Sequence, residues 1–332
     1  MKALGIISGI IVTIIIFFAI FIYLDNQGVE NKYRIGVLMT GENRIEKLEG
    51  MKSGLSHLGY QLDQFEFIIK DAEDDIAQMK KLAEKLIEDN LQLIVTTGGI
   101  ETQFVQQEMK KSTKKIPVVF VGIAAPIELG LIEEYHSPGA MFTGVDNFHM
   151  NLSAKRLEMF VDLVPEMERV MVLYNSNIDI SSMSLEIVKE TAQKLNVDIF
   201  PHDFHADPSL ELLENQISRN DGLMILPSYL IEANAEKIAK LSLRWQLPSM
   251  AIYDHEVEAG YLLSYGSSYF GQGYQAARHV SLILQGNDPA KLPVELPDSI
   301  EFFINEDIRS ELKVDLNEDI LNLAERIRGD LH

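Results

Sequence analysis

The sequence predicts an α/β protein of two doubly wound, Rossmann-like lobes that are joined by a hinge. Short apolar runs rich in β-branched residues alternate with amphipathic segments, and this alternation occurs twice along the chain. Continuous apolar runs are typical of parallel strands buried on both faces, and the segments between them are typical of crossover helices. Helix-rich sequence near residues 137–165 separates the two series, which favours two lobes over the alternative, one closed TIM barrel.

The first series begins with a predicted strand and an amphipathic helix. Leu48, Met51, Leu55 and Leu58 fall on one face of that helix, and Gly59 ends it. Two later strands stop in small residues, which leaves room beyond their carboxyl ends, where open parallel sheets bind ligands. The predicted strands are 33–39, 65–69, 93–95 and 118–121 in the first series, and 170–174, 197–200, 223–226 and 249–252 in the second.

Three further elements follow the second series: a strand near 261–264, a helix near 272–284 and a late strand near 300–304. Such elements can cross back and complete the partner lobe, so that several connections join the lobes and let them hinge. The predicted first lobe is residues 33–143 plus 270–298, and the predicted second lobe is residues 144–269 plus 299–332.

An uncharged apolar stretch occupies the N-terminus, from Ala3 to Leu24. Its length matches the roughly 20 residues that a membrane-spanning helix needs, and Lys2 before it places the start of the chain on the cytoplasmic side. No small-residue cleavage site follows it. We therefore expect an uncleaved transmembrane signal anchor over residues 3–24 and a polar tether over 25–32. The remainder would lie on the periplasmic side of the inner cell membrane, and a removed signal peptide is the alternative.

Charge and cysteine content exclude several classes of function. The formal net charge is -21, from 50 Asp plus Glu against 29 Lys plus Arg, so the surface repels phosphate backbones. Nucleic-acid binding is therefore not expected. The sequence has no cysteine, which excludes disulfides, thiolate metal sites and a lipidated cysteine within it.

Motifs of catalysis and cofactor binding are missing from the sequence. Gly98-Gly99 lacks the third glycine of a dinucleotide-binding loop, and there is no triphosphate loop, nucleophile elbow or H-E-x-x-H motif. The segment from His202 to Asp207 contains metal-binding residue types, but Asp207-Pro208 fits the start of a helix better. We therefore expect no catalytic residue, no metal site and no cofactor.

Several ordered sequence blocks carry a family resemblance. They include IGVLMTGEN at 35–43, IPVVFVGIAAPIELGLI at 116–132, VMVLYNSN at 170–177 and LPVELPDSIEFFIN at 292–305. In these blocks the chain resembles the ABC-transporter substrate-binding proteins of the tryptophan and tyrosine type, which have the type I periplasmic-binding fold. The resemblance covers roughly residues 33–328. It implies a ligand cleft between two lobes, delivery to a membrane permease and ATPase, and small amino-acid-like, often aromatic, ligands.

The sequence departs from the family pattern at three places that face the implied ligand. Ala125-Pro126 stands where relatives commonly carry an aspartate before the proline, and Ser228-Tyr229-Leu230 replaces a Thr-Asp-Asn-like run. Asn175 is followed by a serine where relatives have a proline. The resemblance therefore implies the fold without carrying over tryptophan as the ligand, and Ala124 with Ala125 makes this wall less polar than the family suggests.

Tyrosines are concentrated at the strand ends of the second lobe: Tyr174, Tyr229, Tyr253, Tyr265 and Tyr269. Aromatic rings that carry a hydroxyl group suit a planar or heterocyclic ligand, because they combine contact area with a hydrogen bond. Core tyrosines with the hydroxyl at the rim are the alternative. Asp254, just beyond a strand end, could pair with a ligand ammonium or could cap the helix that begins beside it.

In the first lobe, Thr40-Gly41 and Thr97-Gly98 end two strands, and each pair precedes a helix. The free N–H groups and the positive dipole end of a helix attract a carboxylate, so a ligand carboxylate could bind there without a basic side chain. Arg44 lies near this rim. We expect it to belong to a solvated helix face, and a bidentate contact with the ligand carboxylate is the alternative.

We therefore expect an extracytoplasmic solute-binding protein of an ABC-type importer, which closes two lobes over a small amino-acid-like or aromatic ligand. Its partners would be that ligand, an ABC permease and ATPase, and the membrane through the N-terminal helix. A membrane-tethered sensor that signals to a receptor without transport is the alternative, because both would use the same cleft. The candidate ligand-binding residues are Thr40, Gly41, Thr97, Gly98, Ala124, Ala125, Asn175, Ser228, Tyr229, Asp254 and Tyr265.

Overall fold

A computed structural model describes residues 32–218, 220–312 and 314–328 of the protein. The predicted transmembrane anchor, and the tether apart from its last residue, lie outside the described residues. Within the described part of the chain, no helix is long and apolar enough to cross a membrane.

The first lobe is a five-stranded parallel sheet with helices on both faces. Its elements are β1 (Tyr33–Met39), α1 (Ile45–His57), β2 (Phe65–Asp71), α2 (Ile76–Glu88), β3 (Leu93–Thr96), α3 (Gly99–Met109), β4 (Val118–Ile123) and β5 (Phe142–Asp146). The strand order β2-β1-β3-β4-β5 is a doubly wound arrangement with its switch point between β1 and β3. One face of the sheet packs against α1, and the other packs against α2 and α3.

The second lobe repeats this plan in a seven-stranded sheet. The remaining elements in chain order are α4 (His149–Leu163), β6 (Arg169–Tyr174), α5 (Asp179–Leu195), β7 (Asp198–Asp203), α6 (Glu211–Glu214), β8 (Asp221–Ile225), α7 (Tyr229–Glu232), α8 (Ala235–Arg244), β9 (Ser249–Ala251), α9 (Asp254–Glu258), β10 (Leu263–Gly266), α10 (Tyr269–Leu284), β11 (Glu301–Asn305), α11 (Glu306–Leu312), α12 (Glu318–Leu321) and β12 (Glu325–Ile327). The order is β12-β11-β10-β9-β8-β6-β7, with β11 antiparallel to β10. The switch point of this sheet lies between β6 and β8.

The chain crosses between the lobes three times: after β5, after β10 and before β11. The second crossing lays α10 onto α1 of the first lobe, and the two helices touch at glycines. A Cβ atom on Gly50 would lie 2.1 Å from the Phe270 carbonyl oxygen, and one on Gly273 would lie 1.9 Å from the Lys47 carbonyl oxygen. This backbone contact fixes the first turn of α10, and with it Tyr269, beside α1.

Several elements differ from the sequence predictions, which end with the late strand and do not include α11, α12 or β12. The sequence analysis missed β5, and the lobe boundary expected after residue 143 falls inside it. This strand is only five residues long, and it contains Gly144, whose φ of 148° lies outside the range of ordinary strand residues. The apolar pattern of residues 231–245 predicts one helix, but the structure has α7 and α8 in this region. The helix is broken because the Asn234 side chain donates to the Leu230 carbonyl oxygen that a continuous helix would use.

Candidate functional site

A cavity of about 210 Å³ lies between the lobes, where the carboxyl ends of the two sheets face each other. The first lobe contributes residues that follow β1 and β3 and the end of β4, and the second lobe contributes residues that follow β6, β8 and β9. This is the crevice at the switch points, where open α/β sheets bind ligands. Its volume is below the roughly 300–1,000 Å³ of drug-sized sites, so it suits a small monomeric solute.

The cavity wall combines an apolar lining with two aromatic rings. Tyr229, at the start of α7, and Tyr253, just before α9, supply the aromatic surface. Burial against such a wall favours a ligand with a hydrophobic or aromatic body. Isoleucine is the commonest lining residue, at positions Ile100, Ile123, Ile178, Ile180, Ile225, Ile231 and Ile252.

The structure places five of the predicted site residues around this cavity. Thr40, Gly98 and Ala124 come from the first lobe, and Ser228 and Tyr229 come from the second. These residues follow four different strands. They meet at one cavity because parallel strands end at the same edge of each sheet.

The other predicted residues lie beside the cavity without lining it. Gly41 borders a smaller pocket. Asn175 lies behind the wall and donates from Nδ2 to Ser228 Oγ at 3.1 Å. Ala125 is buried against neighbouring apolar side chains. The Tyr265 carbonyl oxygen accepts from the buried Arg156 guanidinium at 2.7 Å.

Asp254 and Thr97 also lie outside the cavity wall. Asp254 is the first residue of α9, and its Oδ1 lies 3.8 Å from Nδ1 of His255. The Thr97 hydroxyl donates to Glu101 Oε1 at 3.1 Å. Neither residue lines the cavity.

Glu101 occupies the position where the sequence analysis expected a ligand carboxylate. It is the third residue of α3, is 1% exposed and lines the cavity. Its Oε1 accepts from the Thr40 backbone N–H at 3.1 Å, from the Thr40 hydroxyl and from the Thr97 hydroxyl. The donors at these two strand ends are thus engaged by a carboxylate of the chain itself.

Glu256 is the equivalent residue of the second lobe. It is the third residue of α9, is 1% exposed and lines the cavity. Its Oε2 accepts from the backbone N–H groups of Ile252 and Tyr253 at 2.8 and 2.9 Å. Burial raises the pKa of this carboxyl group above its ordinary value.

Arg44 joins the two lobes across the edge of the cavity. Its guanidinium donates to Glu232 Oε2 of α7 at 2.9 Å and to the hydroxyl of Tyr269, which itself donates to Glu232 Oε1. Burial disfavours both charges, but their mutual attraction outweighs it, so the pKa of Arg44 lies well above its ordinary value and that of Glu232 lies below. The expectation of a solvated helix face was wrong: Arg44 is 9% exposed because α7 and α10 cover it.

Lys47 lies behind the cavity wall and holds strand ends of the first lobe together. Its ammonium donates to the carbonyl oxygens of Thr97, Val121 and Gly122 at 2.8, 3.0 and 3.2 Å. It also lies 4.5 Å from the centre of the Tyr269 ring. Burial, with Arg44 nearby, lowers the pKa of Lys47 well below its ordinary value. These contacts tie the ends of β3 and β4 to α1 and α10.

The segment with metal-binding residue types lies away from this cavity. His202 Nε2 is 3.4 Å from Asp207 Oδ2, which makes a pair and not a cluster. In the described residues, no group of three or more His, Cys, Asp or Glu side chains could hold a metal ion.

The sequence matches a known family over almost its whole described length. The family model for ABC transporter substrate binding proteins covers residues 32–328. The chain belongs to this family. Membership confirms the predicted resemblance and makes this chain a solute-binding protein. The family match does not support the alternative of a sensor without transport.

Individual relatives of this substrate-binding protein agree with the family match. A tyrosine-binding protein of Clostridioides difficile is 24% identical over 263 residues, which are 78% of this chain and 74% of that protein. An ABC domain from Streptococcus pneumoniae, solved in complex with L-Trp, has a TM-score of 0.81 at 22% identity and covers 89% of this chain and 99% of its own. A ligand-free, open substrate-binding protein from Clostridium difficile has a TM-score of 0.69 at 20% identity, with 90% and 100% covered.

None of the charged residues that line this substrate-binding protein's cavity was among the predicted ligand-binding residues. Glu101 and Glu256 each stand three residues after the residue that precedes their helix, which is the spacing of a capping box and could have drawn attention to them. Arg44, Lys47 and Glu232 carry no comparable local signal, because their partners are far away in the sequence.

Proposed function

We propose that this substrate-binding protein holds a small amino-acid-like ligand with an aromatic or heterocyclic body between its two lobes and delivers it to an ABC permease and ATPase. The observation that carries the proposal is the cavity enclosed by the carboxyl ends of both sheets. The predicted residues Thr40, Gly98, Ala124, Ser228 and Tyr229 contribute to its wall and are the proposed contacts.

The chemistry of the wall supports an aromatic ligand. Tyr229 and Tyr253 offer ring faces and hydroxyl groups, and the isoleucines offer apolar surface, so a planar ring could be buried and oriented at once. The relatives described as tyrosine-binding and as bound to L-Trp are consistent with such a ligand. Tyrosine and tryptophan are therefore the first candidates.

Lobe closure would couple the ligand to the transporter. Because both lobes line the cavity, a ligand that touches both walls stabilises the closed arrangement, and the closed population rises with ligand concentration. The proposed arrangement has residues 3–24 as a membrane anchor, with the two lobes held outside the cytoplasm beside the permease.

A thermal-unfolding screen tests the proposed function. The full-length protein in detergent would be heated with amino acids, aromatic amines, purines and related heterocycles. A ligand that binds only the folded state adds about 2.7 kcal/mol to the free energy of unfolding at 100 times its Kd, so a cognate compound should raise Tm. Absence of any shift across this panel would contradict small-molecule binding.

A further inference from the structure

We propose that the Glu101 carboxylate binds the ammonium group of the ligand, so that this protein selects cationic amines and does not require a ligand carboxylate. The inference rests on the proposed function and names the chemical class of its ligand. The sequence analysis expected a ligand carboxylate at the strand ends of the first lobe, because each precedes a helix N-terminus. The proposed ligand group at this place has the opposite charge.

One oxygen of Glu101 is left for a ligand. Oε1 accepts three hydrogen bonds, from the backbone and hydroxyl of Thr40 and from the Thr97 hydroxyl. Oε2 has no hydrogen-bond partner among the described residues, although the side chain is 1% exposed and lines the cavity. Glu101 forms no direct ion pair with a described residue, because the nearby cations of Arg44 and Lys47 are bound to other groups. A ligand ammonium would pair directly with this buried carboxylate.

The basic residues near the cavity are already engaged. Arg44 is the basic residue among the described lining residues, and its guanidinium is bound to Glu232 and Tyr269. Lys47 lies behind the wall, and its ammonium is shared among three backbone carbonyl oxygens. A ligand carboxylate would therefore find no unengaged cation among the described residues of this site.

The balance of charge on the cavity wall also favours a cationic ligand. Four acidic side chains line the cavity, Glu101, Asp179, Glu232 and Glu256, against the single guanidinium of Arg44. Glu256, like Glu101, forms no ion pair with a described residue, and its bound oxygen is held by backbone N–H groups. The wall thus attracts a positive group and repels a negative one.

Glu101 also has a structural contact, and the test must separate the two roles. Its Oε1 ties the start of α3 to the end of β1, which the amide oxygen of a glutamine can also do. Glu101→Gln therefore keeps this tie and removes the negative charge. Glu108→Gln is the matched control, because Glu108 lies on the same helix, is 6% exposed and does not line the cavity.

Isothermal titration calorimetry on the full-length protein in detergent tests the inference with two sets of probes. The first is L-tyrosine, tyramine and 3-(4-hydroxyphenyl)propanoate; the second is L-tryptophan, tryptamine and indole-3-propanoate. In the set with the preferred ring, the amine should bind at least as tightly as the amino acid, and the propanoate should bind about 10-fold to 100-fold more weakly. Glu101→Gln should weaken binding of the amine by a similar factor, and Glu108→Gln should not.

Three results would contradict these expectations. If a propanoate binds as tightly as its amine, or if Glu101→Gln binds the amine like the unmodified protein, the inference is overturned while the proposed function stands. If no probe binds the unmodified protein, the proposed aromatic ligand is overturned and the inference falls with it.

Discussion

Replacement of Glu232 by glutamine should shift the protein from the closed toward the open arrangement of its lobes. The two carboxylate oxygens of Glu232 accept hydrogen bonds from Arg44 of the first lobe and from Tyr269 at the lobe crossing. Glutamine keeps the size of the side chain and one acceptor oxygen but removes the charge. In the closed arrangement Arg44 then carries a buried charge without an ionic partner, whereas in an open arrangement water can hydrate it.

The magnitude follows from the burial of this pair. Removal of one partner of a buried ion pair costs about 3–5 kcal/mol, because the remaining charge stays desolvated. Both side chains are 10% exposed, so solvent screens the pair little. The low end of the range applies, because Arg44 keeps its hydrogen bond to the Tyr269 hydroxyl. About 3 kcal/mol corresponds to a roughly 150-fold lower ratio of closed to open molecules.

Distances between spin labels on the two lobes measure this ratio. The sequence has no cysteine, so cysteines can replace Lys81 of α2 and Lys194 of α5, which are both exposed, and can be labelled without background. Electron–electron double resonance then gives the populations of short and long distances, without ligand and during a titration. Glu236→Gln is the control, because Glu236 belongs to an exposed ion pair on the adjacent helix α8.

A double variant separates the ion pair from any other role of Glu232. Arg44→Met, added to Glu232→Gln, removes the unpaired charge, so the double variant should close more readily than Glu232→Gln alone. The reasoning is refuted if Glu232→Gln closes as often as the unmodified protein. It is refuted equally if the loss of closure in the double variant equals the sum of the losses caused by Arg44→Met alone and Glu232→Gln alone.

Three further predictions follow from burial and packing. Burial raises the pKa of Asp146 to about 6 from an ordinary 3.8. The folded state therefore binds the proton of the Asp146 carboxyl group more tightly than the unfolded state does. The free energy of unfolding falls by about 3 kcal/mol as the pH rises from 3.8 to about 6. Asp146→Asn should gain Tm relative to the unmodified protein between pH values of about 4 and 7; a difference independent of pH would contradict this. Gly273→Ala should lower Tm, because its Cβ would lie 1.9 Å from the Lys47 carbonyl oxygen and overpacking costs about 1–3 kcal/mol; an unchanged Tm would show that α10 can move away. Tyr229→Ala should weaken ligand binding about tenfold or more, whereas Asp254→Ala, outside the cavity wall, should bind like the unmodified protein in calorimetry; unchanged affinity in Tyr229→Ala would remove that ring from the site.

Most of the strands and the location of the cavity could be predicted because they depend on local pattern. Leu93–Thr96 and Val118–Ile123 are continuous apolar runs, and burial on both faces of a parallel sheet requires such runs. Small residues after them, such as Gly98 and Ala124, then lie at the open end of the sheet and line the cavity. Here the residue pattern and the tertiary environment agree.

The charged part of the site could not be predicted because it depends on contacts between distant residues. The helical pattern put Leu58 on the buried face of α1, but Leu58 is 46% exposed, whereas Lys47 is 1% exposed. The cause is α10, more than 200 residues later, which covers the face that carries Lys47 and the close glycine contact. Likewise, Arg44 is buried only because Glu232 and Tyr269 arrive from the other lobe and the crossing.

A crystal structure of the protein grown with its tightest-binding aromatic amine tests the central claim most directly. We expect one molecule in the cavity between the lobes, with its ring against Tyr229 and Tyr253 and its ammonium nitrogen within hydrogen-bond distance of Glu101 Oε2. A ligand bound outside this cavity would contradict the assignment of the site. A ligand inside it whose ammonium points away from Glu101 would contradict the assignment of its chemistry.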